Sequence, residues 1–257
     1  MKVVGIIPAR LGSTRYPNKP MALIHGMPMI GHCYHRTRLA SGIEATYVAR
    51  CDEEIAEYVS EIGGLPVMTS NSHTRCTTRT AEAMEYIEAK LGERIDLIVM
   101  VQGDEPLILP ETITETLDHF SDPTVEIVNV MSRLSNYESF VDKNNVKVVV
   151  KQNNDALYYS REPIPSPWRG LEGLPMYMQT GIIVFRRDTL LRFNEMEESR
   201  LEQIESVDMN RILESGGRIR MVLTEVTTIG VDTPQELKEA EKLMDGDPAT
   251  LSQYMTR

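Results

Sequence analysis

Cysteine is scarce in this chain of 257 residues: Cys33, Cys51 and Cys76 are the only three, with no Cys-x-x-Cys pair and no metal-ligand spacing. An odd count without such spacing sets aside a disulfide framework and a zinc site, and leaves reduced thiols in a cytoplasmic protein as the expectation. Cys33 and Cys51 read most simply as core residues. Long apolar runs are also missing. Nothing approaches the roughly 20 residues of a membrane helix, and the first residues pass straight into a strand pattern, so neither a membrane partner nor a targeting segment is expected. Basic residues are outnumbered by acidic ones, 27 to 38, for a net charge of −11. That balance argues against a nucleic-acid partner gripped through its phosphates. Two common nucleotide signatures are absent as well, the Gly-Lys-Ser/Thr of a Walker A loop and the G-x-G-x-x-G of a dinucleotide fold.

What is present starts at residue 9. Ala-Arg-Leu-Gly-Ser-Thr-Arg-Tyr-Pro-Asn-Lys-Pro (9–20) directly follows the apolar run Val3, Val4, Ile6, Ile7. A strand that empties into a loop with Arg10, Gly12, Arg15 and Lys19 directs three cations and several backbone N–H groups to one place, which suits a polyphosphate. Taken alone, the same loop also reads as a solvated basic turn held by Pro17 and Pro20. In an acidic chain it is a local exception, and it points to a small polyanion as partner.

With 41% apolar and 25% charged residues, the composition is that of an ordinary soluble domain. The first half alternates strand and helix patterns. Strands are predicted at 3–7, 45–49, 67–68 and 95–101, and helices at 29–40, 53–62, 78–91 and 110–120, which implies a parallel sheet. The unbroken apolar run 95–101 marks a central strand covered on both faces. After a strand at 124–132 the alternation fails. Runs at 146–150 and 156–159, joined by Gln152-Asn153-Asn154-Asp155, read as a hairpin, so antiparallel pieces join the sheet. Residues 160–175 hold four prolines and the only tryptophan, Trp168, and read as a lid or a dimer contact. A strand at 177–186, a helix at 201–213, a strand at 218–223 and a helix at 234–243 complete the pattern, and 245–257 is expected to be a loosely held tail.

Ligands of open α/β sheets bind beyond the carboxyl ends of strands. Asp104, in Gln102-Gly103-Asp104-Glu105-Pro106, sits at such an end, and Asp232 precedes a helix whose N-cap is Thr233. Each reads alone as a turn or capping residue. Together with the cationic loop they become a two-carboxylate site for Mg²⁺ that shares oxygens with a nucleotide. Glu202, Glu205 and Asp208 recur at i, i+3 and i+6 and read as a solvated acidic face on one helix.

Four motifs in order, 6–20, Val-Gln-Gly-Asp-Glu-Pro (101–106), Ala-Leu-Tyr-Tyr-Ser-Arg (156–161) and Gly-Val-Asp-Thr-Pro (230–234), resemble over nearly the full length the cytidylyltransferases that make CMP-3-deoxy-manno-octulosonate. The resemblance implies a three-layer α/β/α nucleotidyltransferase fold, with a mostly parallel mixed sheet and antiparallel additions in the second half. It implies one domain over 1–244, nucleotide-binding in 1–135 and acceptor-binding and dimerising in 136–244, with a tail at 245–257. CTP and an acidic sugar would be the partners, Mg²⁺ the cofactor and a homodimer the assembly. Arg10, Lys19, Asp104 and Asp232 would be catalytic, Asp104 and Asp232 as metal ligands. Arg10, Arg15, Lys19, Arg75, Thr77, Arg79 and Gln102 would hold the nucleotide, and Arg161, Gln179, Glu205 and Asp208 the acceptor.

The chain departs from the family where Ser-Gly of a His-x-Ser-Gly-Thr pattern is Arg75-Cys76, where a His is Gln179, and where a longer Glu or Gln is Asp208. Arg75 is therefore expected beside the nucleotide. The other two changes suggest a bulkier or amino-bearing acceptor.

Overall fold

The computed structural model describes residues 1–12, 16–224, 226 and 228–255. Strand β1 (Val3–Pro8) is wholly buried, and its side chains alternate between two cores, Val4 and Ile6 in one, Val3 and Ile7 in the other. After the loop, β2 (Leu23–Ile24) and β3 (Met27–Pro28) form a small hairpin over His25 (φ 48) and Gly26 (φ 80). Positive φ at both central residues is what a two-residue hairpin turn demands. Then follow α1 (Met29–Leu39), β4 (Ala45–Arg50), α2 (Glu53–Glu61), β5 (Leu65–Met68), α3 (Cys76–Leu91), β6 (Leu97–Val101) and α4 (Pro110–Asp118). The second half adds β7 (Ile127–Arg133), α5 (Tyr137–Val141), β8 (Lys147–Val150), β9 (Ala156–Ser160), β10 (Tyr177–Arg186), α6 (Arg187–Glu195), α7 (Arg200–Glu205), α8 (Met209–Glu214), β11 (Arg220–Thr224), α9 (Pro234–Met244) and α10 (Pro248–Leu251).

The main sheet runs β11-β7-β10-β6-β1-β4-β5. The pairs β6–β1, β1–β4, β4–β5 and β7–β11 are parallel, whereas β10 lies antiparallel between β6 and β7, and the β8–β9 hairpin attaches to it through Met178 and Lys147. On one face α3, α6 and α8 contribute Met84, Ile87, Leu190, Phe193 and Ile212 to the core. On the other, α1, α2 and α4 contribute Ile30, Cys33, Ile55, Val59 and Ile113. This is the expected mixed α/β sheet covered on both faces. Its middle strand β6 sends Ile98 and Met100 to one core and Leu97, Val99 and Val101 to the other. Burying each such side chain stabilises by about 1.5–3 kcal/mol, so the strand end that carries Gln102 to Asp104 is firmly anchored.

Four expectations need correction. The helix read at 201–213 is two helices: Ser206 adopts a left-handed conformation (φ 52) and separates α7 from α8. The three acids are consequently not one solvated face. Glu202 is fully buried in a forked ion pair with Arg211 at 2.6 and 2.7 Å, Glu205 faces β9, and Asp208 turns toward Thr77. The tail is not loose as far as Met255. Asp247 caps α10 and pairs with buried Arg36 at 2.9 Å, while Tyr254 stacks on His35. The Tyr254 hydroxyl accepts from Arg36 Nε and donates to His32 Nδ1, whose Nε2 donates to the Ile24 carbonyl. Helix α3 also starts two residues earlier than its apolar spacing suggests, at Cys76.

Candidate active site

The loop after β1 is shaped by its neighbours. Leu11 N donates to Asp52 Oδ2 at 2.8 Å, and Asn18 N closes back on the Leu11 carbonyl at 3.2 Å. Lys19 follows in a short helical turn, and its ammonium donates to both Asp104 Oδ2 and Asp232 Oδ1 at 2.8 Å. Burial would lower the Lys19 pKa, but the two carboxylates overcome it and hold the ammonium above its ordinary value. Three loops far apart in sequence thus meet at one charge. A backbone bond from Val231 N to the Asp104 carbonyl, 2.9 Å, fixes two of them together. Asp232 is not the cap of α9. Thr233 does that work with Glu236, whose carboxylate also accepts from Asp232 N, leaving the Asp232 carboxylate directed at Lys19.

Asp104 and Asp232 line a cleft of about 380 Å³, together with Arg75, Gln102, Arg161, Gln179 and Asp208. Gly181, on β10, is the hinge of its packing: a Cβ there would meet Gln102 Cβ and Glu105 Cγ at 2.8 Å. Its N–H donates to Glu105 Oε1 at 2.6 Å. Glu105 itself is buried, and among the described residues Oε2 has no hydrogen-bond partner. Burial, reinforced by the charge of Asp104, pushes its carboxyl up to about 8, so it carries its proton at neutral pH. Nothing in the residue pattern singled out Glu105. Its neighbourhood, Gly-Asp-Glu-Pro at a strand end, was the available signal.

Arg161 is held on three sides. Its N–H donates to Glu205 Oε2 (2.8 Å), Nε to the Glu205 carbonyl (2.7 Å) and Nη1 to the Lys143 carbonyl (2.7 Å). Glu205 Oε1 also accepts from Tyr158 and Ser160 hydroxyls, each at 2.8 Å. Burial alone would raise the Glu205 pKa, and these hydrogen bonds override it and hold the carboxyl low. The Glu205 carboxylate is therefore engaged with β9 and sets Arg161 in place. Gln179 Oε1 is buried at the cleft, and among the described residues it has no hydrogen-bond partner.

The chain's residues 4–221 match a family model described as cytidylyltransferase. The chain belongs to the cytidylyltransferase family. It is 42% identical over 255 residues to the 3-deoxy-manno-octulosonate cytidylyltransferase of Geobacter metallireducens, covering 95% of this chain and 98% of the relative. To the enzyme of that name from Pelobacter propionicus it is 40% identical over 253 residues, covering 94% and 97%. A solved structure of CMP:2-keto-3-deoxy-manno-octonic acid synthetase complexed with CTP superimposes with a TM-score of 0.86 at 36% identity, over 96% of this chain and all of that one.

In this cytidylyltransferase the fold brings Lys19, Gln102, Asp104, Asp232, Arg75, Arg161, Gln179 and Asp208 to one cleft or its direct contacts. Arg10 is exposed at the end of β1, and Arg15 lies outside the described residues. Thr77 is buried and reaches the cleft through its hydroxyl, which donates to Asp208 Oδ2 at 3.1 Å. Arg79 is buried away from the cleft lining, where Nη1 donates to Thr69 Oγ1 at 2.6 Å. Arg75 leans toward the second half of the chain, with Nη1 at 3.4 Å from Ser206 Oγ and Nη2 at 3.9 Å from Glu202 Oε1.

Among the described residues no cluster of three or more His, Cys, Asp or Glu could hold a metal ion by itself. The donor set nevertheless fits Mg²⁺. Two hard carboxylate oxygens already converge on one cation, the Lys19 ammonium, and Mg²⁺ is commonly held by one or two carboxylates plus substrate phosphates and water.

Proposed function

We propose that the protein transfers CMP from CTP to a sugar acid of the 3-deoxy-manno-octulosonate type and releases pyrophosphate. The observation that carries this reading is the convergence of Lys19, Asp104 and Asp232 on a cleft that also holds Arg161. A hydroxyl oxygen of the acid attacks the α-phosphorus, the bond from that phosphorus to the pyrophosphate oxygen breaks, and the hydroxyl proton is lost to solvent. Catalysis is then mainly alignment and neutralisation of phosphate charge. Lys19, held by the two carboxylates, supplies positive charge, and Arg10 and Arg15 would add theirs, with Gln102 and the start of α3 beside the nucleotide. Asp104 and Asp232 would hold Mg²⁺, which supplies Lewis-acid stabilisation of the phosphate oxygens when bound. An acid approaching a triphosphate meets like-charge repulsion, and the Arg161 guanidinium, fixed by Glu205, offers a forked partner for its carboxylate.

The same proposal assigns one domain to 1–244, with the nucleotide side in 1–135 and the acceptor and dimer side in 136–244. A homodimer is supported by Trp168, 89% exposed, and by exposed Leu157, Leu171 and Ile204 in that second half. Three free thiols favour the cytoplasm, and among the described residues no helix is long and apolar enough to cross a membrane.

Pyrophosphate release from CTP and Mg²⁺ with a panel of acidic acceptors tests the reading. Release that requires the octulosonate supports it. Turnover confined to another carboxylated or phosphonated acceptor redirects the substrate, and CTP binding without release with any acid makes the protein a nucleotide-binding module instead.

A further inference from the structure

Arg75 precedes α3, and it reaches across the cleft to the junction between α7 and α8. Its charge is not spent there. The nearest carboxylate, Glu202, is already forked onto Arg211 at 2.6 and 2.7 Å, and the Ser206 hydroxyl at 3.4 Å is a weak neutral acceptor. Asp208 lines the same cleft, with one oxygen taken by Thr77 at 3.1 Å. Arg75 favours the charged form of Asp208 against the burial that raises its pKa, so the two groups feel one another. Gln179, on β10, presents a buried Oε1 that has no hydrogen-bond partner among the described residues. A strong donor and two acceptors therefore line one cleft, which Arg161 lines as well.

That arrangement discriminates by charge. An ammonium on the ligand would be drawn to Asp208 but repelled by Arg75, and a second anion would meet the reverse conflict. A hydroxyl suits both neighbours, because it accepts from a guanidinium and donates to a carboxylate or amide oxygen. We infer that Arg75, with Asp208 and Gln179, is the specificity-determining wall for the acceptor, and that it selects an acid whose remaining groups are neutral hydroxyls rather than a second ionised group. Arg75 thus reads the acceptor and not the cytidine. The inference rests on the proposed function of this cleft, and it reverses the amino-bearing acceptor suggested by the Gln179 and Asp208 replacements.

The test uses the purified full-length protein with CTP, Mg²⁺ and two acceptors, 3-deoxy-manno-octulosonate and an analogue in which a side-chain hydroxyl is replaced by an amine. For the wild type, kcat/KM should favour the hydroxylated acid by about tenfold or more, the scale of one charged hydrogen bond. Arg75→Ser should raise the KM for that acid roughly tenfold and narrow the preference, while the calorimetric Kd for CTP, measured without acceptor, stays within a factor of two. Arg75→Lys, which keeps the charge, should retain most of the discrimination against the amine. An Arg75→Ser protein that loses CTP affinity with an unchanged acceptor KM overturns the inference, as does a wild type that prefers the amine. A wild type that turns over neither acid defeats the proposed function and this inference with it. An active wild type with a silent Arg75→Ser defeats the inference alone.

Discussion

Replacing Asp104 by asparagine keeps the shape of the side chain and removes one of the two charges that grip Lys19. The consequences for stability and for rate should differ widely. Lys19 retains Asp232 at 2.8 Å, and both carboxylate side chains are about a quarter exposed, 26% and 24%. A pair so placed contributes on the order of 1 kcal/mol after solvent screening. Part of that loss is offset, because the Asp104 charge is among the causes that raise the Glu105 carboxyl. For a domain of this size about 1 kcal/mol moves Tm by roughly 2–4 °C. The rate effect is expected to be larger. Losing a group that stabilises charge developing in the transition state costs about 10²-fold or more in kcat, or ~2.7 kcal/mol. Thermal unfolding of Asp104→Asn, beside its kcat over a Mg²⁺ titration, measures both. An unchanged kcat and unchanged Mg²⁺ dependence would refute the assignment of Asp104 to the metal and phosphate site. A Tm fall of tens of degrees would show instead that the triad with Lys19 is structural.

The other predictions probe the frame around the site. Glu202→Ala leaves Arg211 buried without its forked partner and should destabilise by about 3–5 kcal/mol, read as a Tm drop of roughly 10 °C; a drop under a few degrees would mean the pair is dispensable. In Gly181→Ala the new Cβ meets Gln102 and Glu105 at 2.8 Å, so overpacking of about 1–3 kcal/mol should appear in urea unfolding together with reduced kcat/KM, and full activity would contradict the close packing of β10 on that turn. His32 is buried, and burial lowers its pKa from 6.5 to about 4. Because the folded value is depressed, the unfolded chain takes up the proton first on acidification, and stability present above pH 6.5 should be lost as pH falls toward 4. At most about 3 kcal/mol is at stake. Urea unfolding of wild type and His32→Asn at pH 7 and pH 4.5 isolates that loss, and identical pH dependence in the two would refute it.

How much of this could be read from residues depends on how local the cause is. The runs at β1 and β6 are apolar on both faces because both faces are covered, so their strand character and central position follow directly from composition. The place of β10 does not. An antiparallel strand inserted between β6 and β7 is decided by non-local pairing, which no spacing along the chain encodes. The break at Ser206 was hidden for a related reason: no Gly or Pro marks it, and the spacing of Glu202, Glu205 and Asp208 continues through it. That Lys19, Asp104 and Asp232 meet in space was legible because each sits next to a turn signal at an element end. The roles of Glu202 and Glu105 were not, since burial alone decides whether a glutamate is a solvated residue, an ion-pair partner or a neutral acid. The docking of the tail had a signal that composition obscured, Asp247-Pro248 as N-cap and first helical residue of α10.

Whether a cleft built on Lys19, Asp104, Asp232 and Arg161 joins CMP to a sugar acid can be read from ³¹P NMR of the wild-type reaction. With CTP, Mg²⁺ and 3-deoxy-manno-octulosonate, one phosphodiester resonance should grow in step with pyrophosphate, and neither should appear when the acid or the metal is withheld. CTP that remains intact, or that decays to CMP without a phosphodiester, would show that the cleft does not perform this transfer.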